Sequence, residues 1–379
     1  MFQLWIALTA VVPSLCLDST TMQAHLKAGE KLLGTYQASS SITSRWMSAY
    51  NDSTLVQNLN LPGTHDSLTW SVSAVLSPFV QTQDITLFQQ LNNGVRFVDL
   101  RIGIVSEKLR LFHASYQLSS SVELVDIFWG LYHWLDQNPT ETVLVSVKVD
   151  NGNSTAALQR QVYDLMNGPE VSDYWVHNTT LPALGDARHK LIPILRLTMD
   201  PNNIPDYKPF GLNLARGWKD NNANISIKYD YDADNNYRQV VYVQDLYNPD
   251  ADDEEAAINK KYEVLTTHLN RSVATGFENT NKWYIGFASG YNGVLTTPKQ
   301  LALGSTIPRT VGVNTLIRPY LQSNRGSYFG VIMFDFIGSD QRLINATLGW
   351  ETSWGTKTFT VTSPILSAMI VIVASLLVF

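Results

Sequence analysis

The sequence predicts an α/β protein, an irregular (β/α)8 TIM barrel in a single domain. Its 379 residues with 45% hydrophobic content are enough for one large core. Eight short apolar runs alternate with helix-length connections, a pattern typical of a parallel sheet covered on both faces. Several of these runs end in polar residues, at the position where TIM barrels carry their active sites.

The predicted strands follow one another along residues 18–350, the range expected to form the domain. One connecting helix is clear, because Ser120–Glu123 has the pattern of a capping box, apolar residues at helical spacing continue to Leu135, and Asn138-Pro139 ends it. Residues 201–239 are extra length to which no chemistry is assigned. The predicted strands are 56–61, 96–104, 108–112, 142–149, 190–197, 239–243, 283–288 and 328–336.

Both ends of the chain have features of processing signals. Residues 1–17 are predicted to be a signal peptide, because 2–15 are almost wholly apolar and small residues stand near Cys16, the only cysteine. Residues 351–379 combine a polar spacer with an apolar run shorter than the about 20 residues of a spanning helix. This order predicts a GPI-attachment signal, with a retained membrane tail or an apolar end without function as alternatives.

Six Asn-X-Ser/Thr sequons agree with a secretory route. We therefore expect a secreted or cell-surface glycoprotein, anchored to the membrane through its C terminus, and a monomer. The net charge of -6 argues against the basic face that a nucleic-acid partner requires. The sequons are at Asn51, Asn153, Asn178, Asn224, Asn270 and Asn345.

The candidate site is arranged around residues 59–67. An apolar run ends there in Pro-Gly and delivers His65 and Asp66 to the loop after a predicted strand. His65 can titrate near neutral pH, and Asp66 can orient a partner or hold a cation. A single histidine beside an acid is more often structural than catalytic, so the other strand ends must decide.

Polar residues also stand at the ends of other predicted strands, where burial is costly unless the group is paired. Each could be a satisfied ion pair of the barrel interior, but together they indicate a shared site. Two histidines can supply a general base and a general acid, and fixed cations can neutralise phosphate oxygens. The set predicts phosphoryl transfer without a metal, because Arg101 makes a divalent ion redundant. These residues are Asp99, Arg101, His113, Lys148, Arg196, Asp245, Tyr247 and Asp335.

Taken together, these motifs resemble bacterial-type phosphatidylinositol-specific phospholipase C, of the X-domain, PLC-like phosphodiesterase superfamily. The resemblance runs from about residue 46 to 337 and implies a distorted TIM barrel with a metal-independent reaction and no cofactor. The motifs that carry it are Pro62-Gly63-Thr64-His65-Asp66-Ser67, Phe97-Val98-Asp99-Leu100-Arg101, Leu111-Phe112-His113, Glu141–Lys148, Leu184–Arg188, Gly217–Asn221, Val243–Tyr247 and Val331–Asp335.

The resemblance also implies a role for each catalytic residue. His65, oriented by Asp335, would deprotonate the inositol 2-hydroxyl, whose attack on phosphorus would give inositol 1,2-cyclic phosphate. His113, supported by Asp66, would protonate the departing diacylglycerol oxygen. Arg101 would hold the phosphate.

The implied substrate is phosphatidylinositol or a related glycerophospholipid headgroup at a membrane surface. Another phosphodiester, or a non-catalytic surface protein that binds headgroups, are the alternatives. Residues 68–76 either form an apolar interfacial rim or a buried helix that leads to the second strand. The residues that would bind or line the headgroup are Asp99, Lys148, Arg196, Asp245, Tyr247 and Trp218.

Overall fold

One large sheet organises the structure, a computed structural model that describes residues 18–73, 77–231, 237–279 and 281–350. The predicted signal peptide and the predicted C-terminal signal lie outside the described residues. The strands are β1 (Leu61–Thr64), β2 (Phe97–Val105), β3 (Lys108–His113), β4 (Tyr116–Gln117), β5 (Thr142–Asn151), β6 (Lys190–Arg196), β7 (Leu212–Asn213), β8 (Asn222–Tyr231), β9 (Tyr237–Asp245), β10 (Lys282–Phe287) and β11 (Val331–Phe334).

Helices cover the outside of this sheet. None of the helices in the described ranges is long and apolar enough to cross a membrane. They are α1 (Ser19–Leu33), α2 (Ser77–Val80), α3 (Leu87–Asn93), α4 (Leu124–Gln137), α5 (Ala156–Asn167), α6 (Leu184–Ala187), α7 (Glu254–Thr275), α8 (Pro298–Leu303), α9 (Val313–Ser323) and α10 (Arg342–Thr347).

The sheet confirms the predicted α/β barrel. Strands β7, β6, β5, β2, β1, β11, β10 and β9 lie side by side in this order, and every neighbouring pair is parallel. Strand β8 adds an antiparallel edge on β9. Among the described residues β7 and β8 do not pair with each other, so the barrel is nearly closed and irregular.

Two parts of the strand prediction were wrong. Val56–Asn58 form a 3-10 turn, and β1 begins only at Leu61, so that it ends immediately before His65. Residues 108–112 lie in β3, which forms an antiparallel hairpin with β2 and is not a barrel strand. The eighth parallel strand is β7, which lies between the predicted strands 190–197 and 239–243, where no strand was predicted.

Helix α4 begins later than the serine pattern predicts. The hydroxyl of Ser119 accepts hydrogen bonds from the N–H groups of Ser121 and Val122, so these residues form a turn before the helix. The backbone N–H of Glu123 donates to the carboxylate of Asp126 at 2.8 Å, and the helix starts at the next residue. The predicted end, at Asn138, is correct.

A buried ion pair closes the end of the barrel opposite the strand carboxyl ends. Arg96 immediately precedes β2, and its Nε and a terminal nitrogen donate to Glu141 Oε2 at 3.0 and 2.7 Å. The guanidinium also lies 4.6 Å from the ring centre of Trp134. Because both charges are wholly buried, each depends on the other, and we assign this pair to the barrel framework.

Candidate active site

The carboxyl ends of the strands bring two histidine rings together. His65 follows β1 directly, and His113 is the last residue of β3, whose hairpin folds back over the barrel mouth. The two ring centres lie 6.4 Å apart, and the ring planes are inclined by 81°. The sequence placed both residues at strand ends, and the fold makes them neighbours.

The His65 ring is held by a carboxylate on each side. Its Nδ1 lies 2.9 Å from Asp335 Oδ1, and its Nε2 lies 3.2 Å from Asp66 Oδ2. Burial lowers the pKa of His65 well below its ordinary value, and the nearby Arg101 lowers this pKa further. The ring is therefore neutral at neutral pH, and donation from Nδ1–H to Asp335 leaves a lone pair on Nε2.

A backbone carbonyl fixes the tautomer of His113. Its Nδ1 lies 2.6 Å from the carbonyl oxygen of Val80. A carbonyl can only accept a hydrogen bond, so Nδ1 carries a proton. The other ring nitrogen, Nε2, faces Asp66 Oδ2 at 3.4 Å.

Asp66 therefore contacts both histidines, whereas the resemblance implied contact with His113 alone. Its backbone is in the left-handed region, with φ of 42°, a conformation uncommon for a residue other than glycine. This turn directs the carboxylate back between the two rings. Burial raises the pKa of Asp66, although Arg101 and His113 oppose the rise.

Arg101 supplies a fixed positive charge beside the histidines. Its Nε and one terminal nitrogen donate to Asp99 Oδ2 at 3.0 and 2.9 Å, and Nε also lies 3.0 Å from Asp66 Oδ1. Burial disfavours ionisation of Asp99, but Arg101 and Arg196 outweigh it and lower the pKa of this carboxyl. The second strand thus contributes an ionised Asp–Arg pair.

Asp150 belongs to this group, although it is not among the site residues predicted from the sequence. Its carboxylate accepts from the remaining terminal nitrogen of Arg101 at 3.2 and 3.3 Å, and from the backbone N–H of Ala114 at 3.0 Å. It also lies 2.8 Å from Lys148 Nζ. The strand period could have identified it, because a residue two places after Lys148 points to the same side of β5.

A second cluster lines the mouth beside Arg101. Trp218 Nε1 donates to Asp245 Oδ2 at 2.7 Å, and the Arg196 guanidinium carbon lies 3.8 Å from the centre of the Trp218 ring. Arg196 also approaches Asp245 at 3.4 Å and Asp99 at 3.8 Å. Trp218, Asp245 and Arg196, three of the predicted headgroup residues, therefore form one continuous network with the Asp–Arg pair of β2.

Tyr247 lies further out than the other predicted headgroup residues. Its hydroxyl donates to Asp220 at 2.8 Å, and its ring stacks on Tyr291 with the ring centres 5.9 Å apart. Burial, together with this contact to Asp220, raises the pKa of the phenol. The fold thus makes Tyr247 part of an aromatic wall.

The segment 68–73 packs against the protein. Leu68 is buried, and the Trp70 indole N–H donates to the carbonyl of Leu32 in α1 at 2.7 Å. These contacts favour the packed alternative over an interfacial rim at Trp70. Residues 74–76, which were part of the same expectation, lie outside the described residues.

One group of ligand atoms in the described part of the chain has the spacing of a metal site. It consists of His65, Asp66 and Asp99, whose ligand atoms lie within 4.8 Å of one another. Arg101 already contacts both of these carboxylates. A divalent ion would therefore compete with a fixed cation for the same oxygens, so the residues fit a metal poorly.

Comparison with known proteins finds a matching family model. Residues 59–195 match the family model described as phosphatidylinositol-specific phospholipase C, X domain. This segment of the chain is therefore similar to that X domain. The predicted resemblance is confirmed, and with it the prediction of a phospholipase C-like enzyme at the level of the family.

Curated relatives extend the similarity beyond the matched segment. The 1-phosphatidylinositol phosphodiesterase of Listeria monocytogenes is 27% identical over 256 residues, which cover 64% of this chain and 75% of the relative. The protein of the same name from Staphylococcus aureus strain Newman is 24% identical over 303 residues, which cover 77% of this chain and 88% of the relative.

Solved structures show the same fold. A double mutant of the phosphatidylinositol-specific phospholipase C from Staphylococcus aureus aligns with a TM-score of 0.65 at 21% identity, over 80% of this chain and 96% of that one. The Listeria monocytogenes enzyme aligns with a TM-score of 0.60 at 21% identity, over 81% of this chain and 97% of that one.

The X-domain match covers only part of the candidate site. It extends from just before β1 almost to the end of β6, so it includes both histidines and Arg101. It ends one residue before Arg196 and leaves out Asp245 and Asp335. The barrel brings this second half of the chain to the same mouth, as the contact of Asp335 with His65 demonstrates.

Proposed function

We propose that the protein is a metal-independent phospholipase C that cleaves phosphatidylinositol-type lipids to diacylglycerol and inositol 1,2-cyclic phosphate. One observation carries the proposal. The Nε2 atoms of His65 and His113 converge on the same oxygen, Asp66 Oδ2, at 3.2 and 3.4 Å. Two imidazoles whose Nε2 atoms face the same point can act on one phosphodiester. One can accept the proton of the attacking hydroxyl while the other donates a proton to the leaving oxygen.

His65 is the general base of the proposed reaction. Its lowered pKa keeps Nε2 unprotonated at neutral pH. Nε2 accepts the proton of the inositol 2-hydroxyl while the hydroxyl oxygen attacks phosphorus. Asp335, 2.9 Å from Nδ1, then stabilises the imidazolium that forms.

His113 is the general acid. As the bond from phosphorus to the diacylglycerol oxygen breaks, Nε2–H of His113 donates its proton to that oxygen. Asp66 Oδ2 lies 3.4 Å from Nε2 of His113 and orients this ring towards the reacting group. The base gains one proton and the acid loses one, so the atoms and charges of the step balance.

Arg101 stabilises the charge that develops on the phosphate oxygens. Its guanidinium is fixed by Asp99 and needs no rearrangement of its own to present positive charge at the strand end. A divalent ion would supply the same charge in a metal-dependent reaction. Because the guanidinium of Arg101 already lies beside Asp66, a reaction without such an ion is supported.

The inositol ring would lie across the network of Asp99, Lys148, Arg196, Asp245 and Trp218. This set offers charged donors and acceptors close together, and hydroxyl groups can both donate to and accept from such partners. Tyr247 contributes ring surface and, through its stack on Tyr291, an apolar wall. A sugar-like polyol with apolar C–H faces fits this combination.

The deciding experiment is incubation with phosphatidylinositol vesicles in excess chelator, followed by phosphorus NMR. Formation of inositol 1,2-cyclic phosphate that the chelator does not affect is expected. Activity abolished by chelator would overturn the metal-free mechanism. Headgroup binding without any cleavage would instead favour a non-catalytic binding protein.

We also propose that the barrel mouth contacts the membrane through an apolar rim formed by Phe79, Tyr291, Val294, Leu295, Ile307 and Val311. These are six of the seven exposed large hydrophobic residues in the described part of the chain, and Val294 and Ile307 are 87% and 91% exposed. Clustered exposed apolar side chains are typical of an interaction surface. A lipid substrate makes a membrane the expected partner.

Contacts with the site support the common orientation of this rim. Phe79 is next to Val80, whose carbonyl binds His113, and Tyr291 stacks on Tyr247. Val311 stands three residues before Asn314, whose amide donates to the carbonyl of Asp335 at 2.8 Å. The seventh exposed hydrophobic residue, Phe277, lies between α7 and the start of β10, at the opposite end of the barrel.

A secreted or cell-surface location, with anchoring through the C terminus, is part of the proposal. Five of the six sequon asparagines are exposed, and Asn345 is partly buried. Exposed sequons are accessible to glycosylation in the secretory pathway. A shift in electrophoretic mobility after enzymatic removal of N-glycans would support this route, and unmodified protein from expressing cells would contradict it.

A further inference from the structure

The guanidinium of Arg101 has no nitrogen without a carboxylate partner. Nε and one terminal nitrogen donate to Asp99, and the other terminal nitrogen donates to Asp150. The cation of the neighbouring strand β5, Lys148, also lies 2.8 Å from Asp150. A substrate phosphate can therefore reach these two cations together only if Asp150 gives up its contacts.

Asp150 is the more easily displaced of the two carboxylates. Its oxygens lie 3.2 and 3.3 Å from Arg101, compared with 2.9 and 3.0 Å for the bonds to Asp99. Asp99 is also held from the other side by the Ser146 hydroxyl at 3.0 Å, whereas Asp150 is near the mouth, with 5% of its side chain exposed.

The carboxylate of Asp150 also has the right chemistry to stand in for a phosphodiester. Both groups carry one negative charge and two equivalent oxygens that accept from a guanidinium. Arg101 and Lys148 outweigh the effect of burial and lower the pKa of Asp150 to about 2, so it is an anion at neutral pH. Ala114, whose N–H donates to Asp150 at 3.0 Å, follows His113 directly and completes an anion cradle.

We propose that Asp150 is a displaceable internal anion that occupies the phosphate position on Arg101 and Lys148 in the free enzyme. This inference rests on the proposed function and adds a means of selecting ligands to it. A free inorganic phosphate must displace Asp150 with its own contacts alone. A headgroup also gains the contacts of its inositol ring, so it can displace Asp150 where free phosphate cannot.

The test compares the affinity for inorganic phosphate of the wild type and of Asp150→Asn, measured by titration calorimetry at pH 7. Asparagine keeps an oxygen that can accept from Ala114 N–H, but removes the competing charge. We expect Asp150→Asn to bind phosphate at least about tenfold more tightly, because one negative charge within a few ångströms of the ligand is lost. Asp150→Glu keeps the charge and should bind phosphate as weakly as the wild type.

A matched control removes a carboxylate at the opposite end of the barrel. Asp136 contacts His189, which directly precedes β6, so Asp136→Asn should leave phosphate affinity unchanged. If Asp150→Asn lost its cooperative thermal transition, Asp150→Ser would test the same loss of charge. Phosphate affinity that is unchanged or weaker in the folded, uncharged variant would overturn the inference.

Phosphate binding requires no turnover, so the two proposals can fail separately. Tighter phosphate binding by Asp150→Asn together with no cleavage of phosphatidylinositol would support the internal anion and contradict the enzymatic proposal. Cleavage by the wild type with no gain in phosphate affinity would do the opposite.

Discussion

His65 and His113 point their Nε2 atoms at one oxygen of Asp66, from 3.2 and 3.4 Å. The two histidines therefore do not each have a carboxylate of their own at Nε2. One buried carboxylate, that of Asp66, contacts both rings. The Nδ1 atoms of the two rings have different partners, which are Asp335 for His65 and the Val80 carbonyl for His113. The different partners give the two rings different tasks, and each task leads to a measurable expectation.

Removal of either imidazole should abolish most of the activity while the fold is retained. We expect His65→Ala and His113→Ala each to reduce kcat by about 10²–10⁴-fold, the usual contribution of a general acid or base. A substrate with a better leaving group should partly restore His113→Ala but leave His65→Ala inactive, because only the acid acts on the leaving oxygen. Equal restoration of both variants would contradict the assignment of roles.

The acid limb of the pH–activity profile should lie below the ordinary pKa of histidine. Burial, with a further contribution from Arg101, lowers the pKa of His65 from 6.5. The base is functional only when neutral, so kcat/KM should remain high as the pH falls through 6.5 and decline at lower pH. The measurement is initial rate against pH with a soluble substrate, and a decline centred above 6.5 would exclude His65 as the base.

The positions of the site residues at strand ends could be predicted, because the strands themselves are marked by local runs of apolar residues. The runs that became β2, β5, β6 and β11 are mostly apolar, and parallel strands buried on both faces favour this composition. The polar residues that interrupt or end these runs had to converge at one edge once the strands were parallel. The sequence could therefore identify Arg101 and Asp335 as members of one site.

The sequence could not show which strands belong to the barrel. The segment 108–113 is apolar enough for a barrel strand, and its hairpin depends on two residues of positive φ, Ser106 and Glu107. Strand β7 has only two residues and carries no recognisable pattern. The shared contact of Asp66 was equally inaccessible, because it depends on a left-handed backbone at that residue and on the hairpin that carries His113.

Lys261 should make the stability of the protein depend on pH. Its side chain is wholly buried in α7, its Nζ donates to the Leu246 carbonyl at 2.7 Å, and burial lowers its pKa to about 7 despite the fields of Asp245 and Asp335. Between this value and the ordinary 10.5 the unfolded chain holds a proton that the folded protein lacks. The contribution of Lys261 to the free energy of unfolding therefore rises with pH in this window.

Lys261→Met removes this titration but keeps the side-chain volume. The stability of the wild type relative to Lys261→Met should increase from pH 7 to pH 10 by up to about 1.4 kcal/mol per pH unit. Denaturant unfolding of both proteins at several pH values measures this difference. If the free energies of unfolding of the two proteins changed in parallel with pH, Lys261 would remain charged throughout the window.

Trp218→Phe should weaken substrate binding with a smaller effect on the chemical step. The substitution keeps an aromatic ring beneath Arg196 and removes the indole N–H that donates to Asp245 at 2.7 Å. Asp245 would lose one orienting partner, so we expect KM to rise several-fold while kcat changes less. Steady-state kinetics with a soluble headgroup substrate separate the two constants, and a fall in kcat alone would argue against a role in binding.

The apolar rim should determine binding to vesicles independently of catalysis. Substitution of Val294 and Ile307 by serine removes the two most exposed apolar side chains of the rim, each of which would otherwise bury in lipid. Burial of such a side chain contributes about 1.5–3 kcal/mol, so the double variant should bind vesicles at least about tenfold more weakly. Co-sedimentation measures binding, and turnover of a soluble substrate should be unchanged.

Phe277→Ser, at the opposite end of the barrel, is the matched control and should bind as the wild type does. Equal losses in the control and in the rim variant would exclude this rim as the membrane contact.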